Sequence, residues 1–313
     1  MMSRASNYNI GYVSIFLCCV ANAVSLVFIS NLNKTHDQML SIFMTFGYAT
    51  LLFNLFNFKK IPSLYFSVAK NFKLLLKMNI VTLFNWLSSF LALSYIDPAT
   101  AICVILGVVS VTIFVMSIPR RKAAENKHLA MCVFLILISM ALIIKQYTSM
   151  NTLHANSNMA IVGITCCIIS GVSGAFIGVS SESMGQAGFS VSQILATRFY
   201  LLVIVSGTIF FFSKSHASLV IDWKYYLLAS LLIVFFPLIM YQTAIRTLGT
   251  LMVSLLEPFT PVITYFLQVL TGGYQFNLLT VILLAIASGS IIWLARAEQN
   301  VIIANYSSAK ADS

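Results

Sequence analysis

The chain has 313 residues, of which 59% are apolar and only 8% are charged. Apolar windows recur along its whole length, which excludes a water-soluble globular domain and predicts a polytopic membrane protein. The formal charge of +10 does not indicate a nucleic-acid partner, because the basic residues cluster in short loops and form no aromatic-interleaved basic face.

Ten apolar windows of roughly 20 residues are predicted to cross the membrane as helices. They cover residues 10–31, 38–57, 74–95, 98–118, 128–147, 159–180, 189–212, 224–245, 250–271 and 276–295. The first window has an alternative interpretation as a secretory signal, because Arg4 precedes it and Ala21-Asn22-Ala23 resembles a cleavage site. The apolar run continues to Ile29, which is too long for a signal core and favours a spanning helix.

The distribution of positive charge predicts the orientation of these spans. With the N-terminus inside, 13 basic residues fall in inside segments, against 4 in outside segments and one within a span. The inside residues are Arg4, Lys59, Lys60, Lys70, Lys73, Lys77, Arg120, Arg121, Lys122, Lys127, Arg246, Arg296 and Lys310. The positive-inside rule therefore places both termini in the cytoplasm.

An uncharged hydrophilic stretch from Gln146 to Asn158 divides the chain into two five-span halves, residues 1–150 and residues 151–313. The second half ends in a short tail from Ser307 that is expected to be disordered. Because each half has an odd number of spans, the second enters the membrane with the opposite orientation. The predicted fold is an all-α integral membrane protein with ten transmembrane helices in two inverted five-helix repeats.

Glu257 lies between Leu256 and Pro258 inside the predicted ninth span. A carboxylate at membrane depth costs several kcal/mol unless it is paired, hydrated or protonated, and the adjacent proline frees a backbone carbonyl. A residue of this kind is a candidate substrate or proton site.

Arg198 is the second charged residue within a predicted span. At 1.5 Å per residue it lies roughly 15 Å, and Glu257 roughly 10 Å, from the cytoplasmic side. Three interpretations stay open: a structural ion pair, a pair exchanged for substrate or a proton during transport, and two unrelated groups. The corresponding first-half positions, Phe46 and Ile105 or Leu106, are apolar, so one half carries the charges alone.

Further polar side chains within the spans are candidates for the lining of a cavity. They are Asn22, Asn85, Trp86, Ser170, Gln193, Tyr241, Gln242, Thr260 and Tyr265. Each of them has an alternative role in hydrogen bonds between helices. The cysteines and histidines lack metal-ligand spacing, and no loop contains a phosphate cradle or a nucleophile motif. We therefore expect no metal, no cofactor and no catalytic residue.

The chain resembles the drug/metabolite transporter superfamily, and in particular its ten-span EamA-type members. The resemblance rests on the five-plus-five layout and on the Leu-Glu-Pro-x-x-Pro-Val string from Leu256 to Val262, which follows a small-residue start of the ninth span. Two departures concern the subfamily: Gly107 occupies a position where the family often has proline, and Gly272-Gly273-Tyr274 replaces a Gly-Glu pair.

The resemblance implies a secondary transporter that moves small polar or amphiphilic organic solutes, amino acids or related metabolites first among them, by alternating access. The alternative function is a non-transporting membrane subunit that packs against a partner protein. The expected location is the cell inner membrane or plasma membrane. The expected partners are a small solute and the lipid bilayer, with proton coupling and homodimer formation left open.

Overall fold

The structure, a computed structural model, describes residues 2–118, 123–150, 157–213, 223–248, 253, 256–272 and 274–311. Within these residues the regular secondary structure is entirely helical. The helices are α1 (Met2–Thr35), α2 (Gln38–Phe56), α3 (Ile61–Lys70), α4 (Phe72–Tyr95), α5 (Pro98–Ser117), α6 (Ala123–Met150), α7 (Ser157–Gln186), α8 (Val191–Thr197), α9 (Tyr200–Phe212), α10 (Trp223–Ser230), α11 (Phe236–Leu248), α12 (Thr260–Leu270) and α13 (Leu278–Ala311). A π-helical segment, Leu231–Phe235, joins α10 to α11.

In the described part of the chain, eight helices are long and apolar enough to cross a membrane, and they correspond to the first eight predicted spans. The tenth predicted span corresponds to Leu278–Leu294, the apolar part of α13. The start of the ninth span lies largely outside the described residues, as does the basic cluster at 120–122. These helices confirm the predicted all-α integral membrane fold.

Two aspartates fix the tight turns before α2 and α5. The side chain of Asp37 accepts a hydrogen bond from Leu40 N at 2.8 Å, and that of Asp97 accepts one from Thr100 N at 3.0 Å. Each satisfies an amide that the first turn of a helix leaves unpaired. Pro98 then occupies the first turn of α5, where its missing N–H costs nothing.

The structure contains one helix that the sequence analysis does not predict. Between the second and third spans, α3 carries Tyr65 and Phe66, whose side chains are 42% and 77% exposed, between Lys59 and Lys70. A short helix with exposed aromatic and basic residues is typical of a membrane interface. Hydropathy windows of span length do not detect it because it is only 10 residues long.

The end of the chain also differs from the expectation. The tail from Ser307 was predicted to be disordered, whereas α13 continues to Ala311. The sequence after the apolar part contains Ala295, Ala297, Glu298 and Gln299, which favour helix, and extending an existing helix avoids the cost of nucleation.

Contacts between helices follow a regular pattern across the two predicted halves. The pair α4 and α7 has a counterpart in α11 and α1, and the pair α5 and α7 has one in α12 and α1. Three further contacts join corresponding spans directly: α2 with α9, α5 with α12, and α6 with α13. Exchanging the halves maps these contacts onto one another, and the division into two inverted repeats stays a prediction.

The main apolar core lies where the second, third and fourth spans meet the seventh. Phe46, Phe90, Val104 and Phe199 are fully buried there, with the rings of Phe46 and Phe199 5.2 Å apart. This core holds the two predicted halves together beside the cavity described next.

Candidate functional site

A cavity of about 190 Å³ lies among α1, α4, α5, α7, α11 and the interruptions of the seventh and ninth spans. Most of its wall is aliphatic, and a minority of polar side chains project into it. The polar and aromatic lining residues are Asn22, Ser25, Asn85, Trp86, Ser89, Arg198, Tyr241 and Glu257. We call this space the central cavity.

Arg198 lies at an interruption of the seventh span, which the sequence analysis predicts as one helix. The first segment, α8, ends at Thr197, and α9 begins at Tyr200. An interruption leaves backbone groups without helical partners, and in a membrane these groups need other partners.

A first-half asparagine supplies two of those partners. Asn79 Nδ2 donates to Thr197 O at 2.9 Å, and Asn79 Oδ1 accepts from Leu201 N at 3.2 Å. One side chain thereby bridges the two ends of the break. Asn79 is itself 5% exposed, so these bonds are shielded from water.

The second span secures α8 with two more asparagines. Asn54 Nδ2 donates to Ala196 O at 3.0 Å, and Asn57 Nδ2 donates to Ser192 O at 3.1 Å. The Ser192 hydroxyl donates back to Asn57 Oδ1 at 2.9 Å. The break at Arg198 is therefore held by first-half side chains on both sides.

The Arg198 side chain is 3% exposed. Its guanidinium carbon lies 5.1 Å from the centroid of the Phe199 ring, and its Nε makes no hydrogen bond to the described protein atoms. A buried guanidinium with an unused N–H is a strong site for a carboxylate, because charge-assisted hydrogen bonds are the strongest that a side chain forms.

Glu257 reaches the central cavity from the ninth span. It opens a 3₁₀ turn, Glu257–Phe259, and α12 follows with Pro261 in its first turn. Pro258 and Pro261 lack N–H groups and so favour a short turn over a continuous α-helix here. Glu257 and Arg198 line the same cavity, yet no ion pair joins these two described side chains.

The eighth span is irregular beside the cavity as well. The π-helical segment precedes Pro237, and both Pro237 and Tyr241 line the central cavity. The Ser25 hydroxyl of α1 lies 2.8 Å from Leu232 O in the π-helical segment. π-Helical turns occur frequently at functional sites.

The opposite wall is held by hydrogen bonds between α4 and α7. Asn85 Nδ2 lies 3.0 Å from Ser170 O, and the Ser89 and Ser170 hydroxyls are 2.7 Å apart. Beside them, the buried Trp86 Nε1 makes no hydrogen bond within the described part of the chain. The wall thus holds a second buried N–H group without a hydrogen-bond partner in the described part of the chain.

The central cavity brings together six of the candidate residues from the sequence analysis: Asn22, Asn85, Trp86, Arg198, Tyr241 and Glu257. The other five lie elsewhere. Ser170 is behind Asn85 in the α4–α7 contact, and Gln193 Oε1 accepts from Ser190 N at 2.8 Å at the start of α8. Gln242 lines a different cavity, Thr260 is buried in the first turn of α12, and the Tyr265 hydroxyl accepts from Asn277 N at 2.7 Å near α13.

Ser25, Asn54, Asn57 and Asn79 are important to this arrangement but were not among the predicted site residues. The signal that could have found the asparagines is an amide side chain within a predicted span, which needs a hydrogen-bond partner on another helix. Among the residues that the structure describes, no group of His, Cys, Asp and Glu is arranged to hold a metal ion.

The fold and the central cavity define a multi-span membrane protein with a polar site enclosed between its helices. Residues 161–296 match the model of the EamA-like transporter family, which confirms the resemblance to the drug/metabolite transporter superfamily. The match supports a membrane transporter of this type, whose partners would be a small solute and the lipid bilayer.

Two comparisons concern the whole chain. One solved crystal structure of a protein superposes on 94% of this chain and 96% of its own, with a TM-score of 0.58 at 15% sequence identity. At that identity the likeness concerns the fold alone, and it extends over nearly the entire chain. The search of curated proteins returned no match.

Proposed function

We propose that the protein carries a small zwitterionic metabolite, an amino acid or a close relative, across the membrane by alternating access. The observation that carries this proposal is the presence of Arg198 and Glu257 in one small cavity without an ion pair between them. Two opposite charges that are not paired with each other can bind a solute that carries both a carboxylate and an ammonium group. Such a solute would also compensate the cost of burying both charges.

Each lining residue has a role in this proposal. Arg198 binds the carboxylate of the solute, with Trp86 Nε1 as a further donor. Glu257 binds the ammonium group or takes up a proton when the solute leaves. Asn22 and Asn85 bond the remaining polar atoms, and the rings of Trp86 and Tyr241 contact the apolar part.

The size of the central cavity supports a small solute. Its volume of about 190 Å³ is that of roughly six waters at about 30 Å³ each. A nucleotide sugar does not fit into such a space, whereas an amino acid of modest size does.

Alternating access would use the irregular spans of the second half. Discontinuous helices at mid-membrane are common in transporters built from inverted repeats. We place the protein in the inner membrane or plasma membrane with both termini in the cytoplasm, in agreement with its charge distribution. Proton coupling through Glu257 and homodimer formation are further parts of this proposal that need their own measurements.

The test compares the small molecules of cells and medium with and without the expressed protein. Wild type, Glu257→Gln and Arg198→Gln form the series, since both substitutions remove a charge while keeping a polar side chain. We expect amino acids or related zwitterions to shift with wild type and with neither variant. In proteoliposomes, Glu257→Gln should also abolish pH-driven accumulation.

Three outcomes would contradict the proposal in different ways. Equal shifts with all three proteins would make the two charges structural. Shifts confined to uncharged solutes would exclude the zwitterion. An absence of flux in proteoliposomes, with a protein partner that co-purifies, would favour the alternative of a non-transporting subunit.

A further inference from the structure

A second and larger cavity lies at the end of the second half that the charge distribution places in the cytoplasm. It has a volume of about 580 Å³, opens to the surface, and is bordered by the C-terminal part of α7, the turn that follows it, α8 and α11. We call it the vestibule. Its polar lining residues are Ser181, Glu182, Gln186, Ser190, Gln242 and Arg246.

The vestibule lies next to the central cavity, and three neighbouring elements line both spaces. On α7, Ile177 lines the central cavity and Gly178 lines the vestibule. On α11 the change falls between Tyr241 and Gln242, and in the seventh span between Arg198 and Ile194. Each step is at most one helical turn, about 5 to 6 Å along the axis. A thin layer of side chains therefore separates the two spaces.

One buried polar group in the vestibule lacks a partner. Gln242 is 4% exposed, and its Nε2 makes no hydrogen bond to the described protein atoms. A buried amide N–H without a partner is uncommon in a folded protein, since leaving it unpaired is costly. Arg246 lies one turn further along the same face of α11, and both residues line the same space.

The opposite wall carries the complementary charge. Glu182 lines the vestibule from α7, and both Glu182 and Arg246 are exposed. The vestibule thus carries the same kinds of group as the central cavity, one guanidinium, one carboxylate and an amide, but its two charged side chains are open to water, whereas Arg198 is buried. The two sites share no residue.

We propose that the vestibule is a second binding site for the same class of zwitterionic solute. It lies about one helical turn from the central cavity, and the solute occupies it before it enters or after it leaves the central cavity. Arg246 and Gln242 bind the solute carboxylate, and Glu182 binds its ammonium group. The inference rests on the proposed function, because it takes the zwitterion from there. It adds a site on the cytoplasmic side. This site holds the solute while the side chains between the two cavities, at Tyr241 and Ile194, close the path to the central cavity.

The test uses thiol labelling in inside-out membrane vesicles that contain the full chain. Gly178→Cys places a reporter in the vestibule, where a side chain at this position meets no atom within 4 Å. Ala187→Cys is the control, because Ala187 is exposed in the turn after α7, on the same side of the membrane, but lines neither cavity. Ser89→Cys reports on the central cavity. The wild-type chain, whose six cysteines are buried or half-buried, provides the background.

The probe is an equimolar mixture of the nineteen standard amino acids other than cysteine, whose thiol would consume the reagent, added before a membrane-impermeant methanethiosulfonate. We expect the mixture to slow labelling at Gly178→Cys by about threefold when its best ligand is at twice its dissociation constant, and to leave Ala187→Cys unchanged. Protection at Gly178→Cys should persist with Glu257→Gln. It should be lost with Arg246→Gln and weakened with Gln242→Leu.

The reporters separate the two proposals. Protection at Ser89→Cys without protection at Gly178→Cys would overturn the vestibule site and leave the proposed function standing. Loss of vestibule protection with Glu257→Gln would also overturn it, because the effect would then come from the central cavity. An absence of protection at both reporters would overturn the zwitterion, and the vestibule site with it.

Discussion

The two halves of the chain are built differently around the same cavity. In the first half, α1, α4 and α5 pass the central cavity as continuous helices. In the second half, the seventh, eighth and ninth spans are all irregular there, at Arg198–Phe199, at Leu231–Phe235 and at Glu257–Phe259. Both charged lining residues lie at these irregular positions.

The difference concerns the hydrogen bonds of the backbone. In a continuous helix the backbone N–H and C=O groups bond one another, whereas an interrupted helix leaves some of them unpaired, and these need partners elsewhere in the protein. The first half supplies such partners through Asn54, Asn57 and Asn79. We infer that the first half acts as a frame that stabilises the irregular, charged second half.

The largest expected effect comes from replacing the asparagine that bonds both ends of the break in the seventh span. Asn79→Leu keeps the side-chain volume but leaves Thr197 O and Leu201 N without their partner. An unpaired buried backbone group costs about 1 to 3 kcal/mol. Thermal unfolding of the detergent-purified variant should therefore show a clear loss of stability.

Asn22→Leu is the matched control for Asn79→Leu. Asn22 Nδ2 contacts Cys18 Sγ within its own helix at 3.4 Å, and no described bond joins it to the second half. Its replacement should leave thermal stability nearly unchanged while weakening transport, because Asn22 lines the central cavity. Equal destabilisation by both variants would argue against the supporting role of the first half.

A smaller effect is expected at a close contact between the halves. Gly171 of α7 packs on α5, and a methyl group there would lie 2.6 Å from Val108 Cβ and 2.7 Å from Ile105 O. Gly171→Ala should lower the free energy of unfolding by about 1 to 3 kcal/mol through overpacking. Gly178→Ala, two turns further along α7, meets no atom within 4 Å and should not destabilise the protein. Equal thermal stability of the two variants would contradict this close contact.

The membrane fold could be predicted from sequence because apolar run length is set by bilayer thickness. The irregular ninth span could be anticipated as well, since Pro258 and Pro261 are local signals. The break at Arg198 could not, because neither proline nor glycine marks it. It depends on Asn79, which is 118 residues away in the chain.

Prediction from sequence has the same limit for the residues of the candidate site. Tyr241 and Gln242 were predicted together, but adjacent residues on a helix point about 100° apart. One of them lines the central cavity and the other the vestibule. Sequence identifies polar residues within spans, whereas their direction depends on how the helices pack.

One carboxylate of the first half lies outside the spans and provides a contrast to Glu257. Asp97 is 8% exposed at the turn before α5. Beside it, Ala99 N donates to Gln268 Oε1 of α12 at 2.9 Å, so this turn is joined to the second half. Burial raises the pKa of Asp97 above its ordinary value, and hydrogen bonds from Thr100 and Gln268 offset only part of that effect.

The raised pKa predicts a modest dependence of stability on pH. An unfolded aspartate titrates near pH 4, so from about pH 4 up to the raised pKa the folded protein binds more protons than the unfolded chain. The free energy of unfolding should therefore fall as the pH rises through that window.

Asp97→Asn keeps an oxygen to cap α5 and should reduce this fall, as measured by thermal unfolding in detergent across the pH range. Asp37→Asn changes the comparable cap of α2 and serves as the control for the loss of a charge. An unaltered pH dependence in Asp97→Asn would mean that the pKa of this carboxylate is the same in the folded and the unfolded chain, and that the turn between the halves is not sensitive to protonation.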